Sequence, residues 1–144
     1  MDISLEEQLK RHDIKTPKFT LENHSKIAKV VDVYDGDSCQ VVFEHNRLIN
    51  KWNVRMHGYD TPEMRPRKTV ENRLEIIEKA KAARDYLKSL IMNKDQLIYI
   101  KCHDFDKYGR VLGEIYLNQG DSKSVNELMV ENGYGYTYHG GKKK

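Results

Sequence analysis

Five segments with strand patterning, a long amphipathic helix between the third and fourth, and a length of 144 residues predict a small α+β domain on a five-stranded β-barrel. A chain of this length makes one domain and buries roughly two thirds of its unfolded surface. The first strand covers residues 26–33, rich in Val and Ile, and the second covers 38–44 after the turn Asp35-Gly36-Asp37. His45-Asn46 reads as the next turn and 48–56 as the third strand, which completes a meander. Residues 96–102 and 111–117 supply strands four and five, joined by Asp104-Phe105-Asp106-Lys107-Tyr108-Gly109.

From Val70 onward Leu74, Ile77, Ala80, Ala83, Leu87 and Leu90 recur at three and four residues, which places them on one helical face. Thr69 is the expected N-cap and Asn93 the expected C-terminal cap, with Glu75 and Lys79 as a weak pair on the wet side. A shorter helix over 124–132 ends at Gly133, so a C-terminal helix follows the last strand. Five strands with a helix between the third and fourth is the OB-fold arrangement. Residues 1–25 read as an N-terminal extension with one short helix (Ile3, Leu5, Leu9) stopped by Thr16-Pro17. The domain itself is expected over 26–138, followed by a basic tail over 139–144.

Composition narrows the function. The 25 basic residues nearly balance 22 acidic ones, so an anionic partner is permitted without being demanded. No apolar run approaches the roughly 20 residues that span a bilayer. The opening MDISLEEQLKRHDIK has acidic residues and no apolar core of a secretory signal. The two cysteines, Cys39 and Cys102, sit in apolar strands and read as reduced core positions. The expected location is intracellular and cytoplasmic. Trp52 alternates with Val54 and Met56, so it reads as packing rather than a base platform. Cys102-His103 is too small a set for a zinc site.

The candidate chemistry lies in the turns. Asp37 and Asp60 offer two hard oxygen ligands and the Thr61 carbonyl a third, a set suited to Ca²⁺ or Mg²⁺. Glu63 follows closely and can orient or deprotonate a water. Arg55 and Arg110 are planar forks suited to two oxygens of a phosphate. Phosphodiester hydrolysis needs these parts: cationic groups that stabilise charge on the phosphoryl oxygens, and a base that prepares the water. Singly, each segment is ordinary turn or strand chemistry, and Asp35-Gly36-Asp37 suits any hairpin.

The ordered set is specific. Val33-Tyr-Asp-Gly-Asp-Ser38, Arg55, Tyr59-Asp-Thr-Pro-Glu63, Asp106-Lys-Tyr-Gly-Arg110 and Val125-Asn-Glu-Leu128 with Gly133 together resemble the staphylococcal nuclease (thermonuclease) family, in its short intracellular form. The resemblance covers about residues 26–138 and implies an OB barrel. It implies a Ca²⁺-dependent hydrolase, an endonuclease that cleaves DNA and RNA with little sequence preference and leaves 3′-phosphate ends. Asp37 and Asp60 match the metal carboxylates, and Thr61 the carbonyl ligand. Glu63 matches the general base, and Arg55 and Arg110 the arginines that grip the scissile phosphate. Lys107 and Tyr108 fall where a neighbouring phosphate is contacted, and Asp35 on an ancillary acidic position. The implied partners are nucleic acids, single strands favoured, acted on by a monomer.

Three departures accompany the resemblance. The stretch from Asp37 to Arg55 is longer than in the secreted bacterial prototype. Residues 64–81 also differ, with Arg65, Arg67 and Lys68 forming a basic loop. The prototype's two substrate tyrosines align with Tyr136, Tyr138 and His139; Tyr138 is expected at a base or phosphate edge, with rim packing as the alternative. A catalytically silent nucleic-acid-binding module is the competing reading. Silent copies lose metal carboxylates or arginines, whereas this chain keeps Asp37, Arg55, Asp60, Glu63 and Arg110.

Overall fold

The computed structural model describes residues 2–93 and 95–138. Alternating burial builds the sheet. In β1 (Ser25–Asp35), β2 (Ser38–His45) and β3 (Leu48–Met56) the inward residues Ala28, Val30, Val33, Cys39, Val41, Phe43, Val54 and Met56 are buried. Antiparallel hairpins join these strands in order, and the β2–β3 turn uses Asn46 and Arg47, both at positive φ (52° and 68°), as the twist of a tight hairpin requires. After the two-residue β4 (Tyr59–Asp60) and α2 (Arg73–Ile91), the chain returns as β5 (Leu97–Phe105) and β6 (Val111–Tyr116). β5 pairs antiparallel with β1 and β6, and β6 pairs parallel with β3, which closes the barrel in the order β1-β2-β3-β6-β5. The chain is thus the expected α+β OB-type barrel, with α3 (Val125–Glu131) after the last barrel strand.

α2 covers the barrel through Ala80, Ala83, Leu87 and Ile91. Its docking fixes the residue type in the first turn. A Cβ on Gly36 would lie 2.7 Å from Cβ of Ala83, so only glycine lets the helix press on the β1–β2 turn. α3 starts on a capping box in which the Ser124 hydroxyl accepts from Glu127 N–H and the Glu127 side chain reaches back. Asn126 on α3 donates to the carbonyls of His57 and Gly113 (2.8 and 2.9 Å) and accepts from Ile115 N–H (3.0 Å). That one buried side chain fastens α3 to both partners of the parallel seam. No helix among the described residues is long and apolar enough to cross a membrane.

Several local expectations need correction. α2 begins at Arg73, not Val70, and its N-cap is Asn72 in left-handed conformation (φ 58°) with no side-chain cap bond; Thr69 does not cap it. Leu74 is 74% exposed and Ile77 only half-buried. At 19 residues the helix is about 28 Å long, and its first turns run past the barrel face that buries the rest. At the other end Met92 is the C-cap, while the Asn93 carbonyl accepts from Gln96 N–H (2.9 Å) in the turn into β5. The N-terminal helix α1 (Leu5–Lys10) stops at Arg11, well before Pro17, and buries none of its residues. Thr16 instead holds the loop, its hydroxyl accepting from Asp13 N–H at 3.1 Å. Leu21 is completely buried in the core, ahead of β1. Cys39 and Cys102 are buried free thiols, and burial raises them to about 12 and about 11. His139 and the lysine tail lie outside the described residues.

Candidate active site

The β1–β2 turn, the end of β3 and the β4 ribbon converge on two buried carboxylates. Asp37 is held by its backbone: its carbonyl accepts from Met56 N–H at 2.8 Å, and the neighbouring Gly36 carbonyl accepts from the buried Tyr59 hydroxyl at 2.7 Å. Burial, then the nearby Asp37 carboxylate, pushes the Tyr59 phenol well above its ordinary range, so it stays a donor. Asp60 sits on β4, which pairs with β7 (Tyr136–Thr137) in register Asp60↔Tyr136. Two-residue strands carry no periodicity, so this ribbon had no sequence signal. Its role is positional: it fixes Asp60 and, through Tyr138 N–H on the Gly58 carbonyl (2.9 Å), delivers Tyr138 to the same rim.

Arg55 lies between the two aspartates, 3.4 Å from Asp37 Oδ2 and 3.3 Å from Asp60 Oδ1. Its Nη1 also donates to the carbonyls of Met56 (3.1 Å) and Tyr59 (2.9 Å). Two carboxylates and two backbone carbonyls therefore set its position, more anchoring than a strand residue between Val54 and Met56 suggests. Asp37 and Asp60 are 6% and 4% exposed, yet one guanidinium faces both, and Asp35 borders the same cleft. Burial makes an ionised carboxylate costly, so such a pair favours a further positive charge beside it. Two carboxylates with the buried Thr61 beside them form a hard-oxygen set that fits Ca²⁺. Among the described residues no three His, Cys, Asp or Glu side chains group as a metal site, so carbonyl and water ligands would have to complete it.

Across the cleft stands the β5–β6 connection. Asp106 binds it together, accepting from the N–H groups of Tyr108 and Arg110 (both 2.9 Å) and from Arg110 Nε at 2.7 Å. Burial alone would raise the Asp106 carboxyl, but these bonds and the Arg110 charge outweigh it and hold it below its ordinary value. Asp106 is the positioning residue missed in the sequence; its four-residue spacing from Arg110 was the available signal. Tyr108 is 72% exposed, with Lys107 and Arg110 each over its ring at 5.2 and 5.5 Å. Arg55 lies 5.9 Å from the ring centre of Tyr138.

A cleft of about 590 Å³ gathers seven of the nine expected site residues: Asp37, Arg55, Asp60, Lys107, Tyr108, Arg110 and Tyr138. Thr61 is buried beneath it, its N–H donating to Asp60 Oδ1 at 3.0 Å. Glu63 is exposed on the following loop and stands outside the cleft lining. Its charge nevertheless reaches Tyr136, whose hydroxyl is pushed up to about 12 by burial, then by Asp60, Asp37 and Glu63. Trp52 stacks flat on Phe43 at 5.0 Å, away from this cleft's lining, in agreement with a packing role.

Barrel, inserted helix and charged rim define an α+β OB-fold domain with an acid–arginine cluster in a cleft at one end. Residues 53–144 match the family model described as staphylococcal nuclease homologue, and the chain belongs to that family. The match begins after Asp37, whose placement rests on the fold. Two probable staphylococcal-like nucleases of Oryza sativa subsp. japonica are 31% and 30% identical over 91 residues, 63% of this chain and 20% of each relative. An uncharacterized endonuclease of Escherichia coli is 27% identical over 110 residues, 76% of this chain and 60% of the relative. The chain thus spans between 20% and 60% of the length of these relatives.

Proposed function

We propose that the protein is a Ca²⁺-dependent endonuclease that hydrolyses DNA and RNA with little sequence preference. The observation that carries this reading is Arg55 shared by buried Asp37 and Asp60, with Arg110 lining the same cleft. Asp37, Asp60 and the Thr61 carbonyl would hold Ca²⁺, which when bound supplies neutralising charge at a phosphoryl oxygen. Arg55 and Arg110 bind the scissile phosphate and stabilise the charge that grows on it. Asp106 holds the Arg110 fork in its direction. Glu63 accepts a proton from the attacking water as its oxygen bonds to phosphorus. The 5′ P–O bond breaks, the 5′ oxygen leaves as a hydroxyl after taking up a proton, and the phosphate stays on the 3′ side. Lys107 and Tyr108 contact the neighbouring phosphate, and Tyr138 meets a base. The acting species is a monomer.

One observation favours a second reading. Glu63 is exposed and outside the cleft lining, as in a module that binds strands without cutting them. Digestion of single-stranded DNA, duplex DNA and RNA with Ca²⁺, Mg²⁺ or chelator separates the two. The enzyme cleaves all three with Ca²⁺, single strands fastest, leaves 3′-phosphates and is stopped by chelator. A folded sample that binds single strands and cuts nothing under either metal assigns the silent module instead.

A further inference from the structure

A second cleft, of about 710 Å³ against about 590 Å³ for the acidic one, opens on the outer face of β1, β5 and β6. Strand register explains its floor. Ile27 pairs with Tyr99, and Tyr99 pairs with Tyr116, so the three side chains form one row across three strands. Ile27 is 56% exposed and the tyrosines are half-buried, although the inward neighbours Ala28, Ile98, Ile100 and Ile115 already complete the core. The row therefore adds an aromatic and aliphatic surface that folding does not consume.

Cations flank it on both sides. Lys101, paired with Ser25, lies one outward position beyond Tyr99, and Lys29, paired with Leu97, lies one outward position beyond Ile27 in the other direction. Both are exposed, and among the described residues neither makes an ion pair within 4.0 Å. Asp121, which lines the cleft, and Glu114, paired with Lys101 in the strand register, each have another partner. Asp121 accepts from Asn118 N–H at 3.0 Å within its loop, and Glu114 is 2.7 Å from His103 Nε2.

From this we infer that the β1–β5–β6 face is a second binding site for single-stranded polynucleotide, separate from the acidic cleft. Tyr99 and Tyr116 stack on bases, and Lys29 and Lys101 take phosphates on either side. Aromatic rings between cations suit a strand of any sequence, because every base has a π-face and every linkage a charge. Along β6, Tyr116 lies about 20 Å from Arg110 at strand rise, so one strand of moderate length reaches both clefts. The ligand class rests on the nucleic-acid reading proposed above, but the binding site does not depend on cleavage.

The test is fluorescence anisotropy with labelled 20-nucleotide single-stranded DNA in chelator, where nothing is cut. It compares the wild type with Lys29→Glu/Lys101→Glu and, separately, Tyr99→Thr, each checked for an unchanged melting curve. Both variants are expected to bind about tenfold or more weakly, and the charge-reversed one to lose part of the salt dependence. With Ca²⁺ present, KM for the 20-mer should rise while kinetics on a tetranucleotide stay unchanged. Unaltered affinity in the folded double variant overturns the inference, as does a wild type that binds no single strands. A concentration-dependent dimer lost in Tyr99→Thr also overturns it and makes the face a self-contact. Groove-dependent binding without cleavage under any metal retains this site and removes the enzyme reading instead.

Discussion

At the acidic cleft, Asp37, Asp60 and Arg55 are buried together and joined by ion pairs of 3.4 and 3.3 Å. Where the N-terminal segment crosses the β2–β3 hairpin, Phe19 instead meets His45 at 5.5 Å and Phe105 at 6.0 Å, edge-on and tilted, beside the Phe43–Trp52 stack. The second region tolerates loose ends: His45 Nδ1 and Trp52 Nε1 are buried without a hydrogen-bond partner among the described residues. Burial, then Lys26 and His24, lower the His45 pKa and so disfavour its charged form. A neutral orphan atom costs on the order of 1–3 kcal/mol, whereas an unpaired buried charge costs far more. The barrel divides its tolerance between these two regions. Aromatic packing holds the shape and accepts imperfect hydrogen bonding, while the charged cluster is braced by backbone carbonyls, Tyr59 and Ser38.

The largest effect that would sharpen this contrast is chemical and leaves the fold alone. Glu63→Gln should lower turnover by about 10²–10⁴-fold, the range of a general base, with the melting temperature and single-strand affinity nearly unchanged. Stopped-flow cleavage beside a binding titration reads both; near-normal turnover would take Glu63 out of the mechanism. Next in size, Leu21→Ala should cost about 2–5 kcal/mol by opening a cavity in the core. Its turnover well below the melting point should equal the wild type. A change in kcat at matched folded fraction would couple the N-terminal segment to the cleft and remove the difference between the two regions.

The smallest effect concerns acid. The folded Asp106 carboxyl titrates below its ordinary value of 3.8, so the unfolded chain takes up the proton first as pH falls. The stability Asp106 contributes is fully present above 3.8 and is lost as pH drops through its lower folded value. Urea midpoints of the wild type and Asp106→Asn should therefore differ by a constant amount above about pH 5 and converge as pH falls below 3.8. A gap that stays constant into acid would mean that Asp106 stabilises through shape rather than charge.

How far the sequence was legible follows from what each element depends on. The long strands alternate over six or more residues, so their inward faces could be read directly. The motif order located Arg55, Arg110, Asp37 and Asp60, which line one cleft. α2 was misread at its start because Leu74 and Ile77 keep helical spacing in a part of the helix that meets no barrel. Periodicity reports which face is apolar, not how far the partner surface extends. Gly36 was read as a turn glycine, but the contact that demands it comes from Ala83, 47 positions later. Asp106 was visible within its motif, yet its hydrogen bonds to Tyr108 and Arg110 depend on the loop's closed shape.

The parallel seam between β3 and β6 has a consequence for synthesis. Val54 pairs with Val111 and Arg55 with Leu112, so the arginine of the first half meets the Arg110 segment only when residues far apart in sequence come together. The clasp on that seam, Asn126, emerges later still. A ribosome delivering the chain from its N-terminus can complete the β1–β2–β3 meander before it releases the second arginine and the clasp. The cleft is therefore vectorially delayed: its two cationic walls face each other only after both strands of the seam have emerged, well behind the meander that carries the first of them.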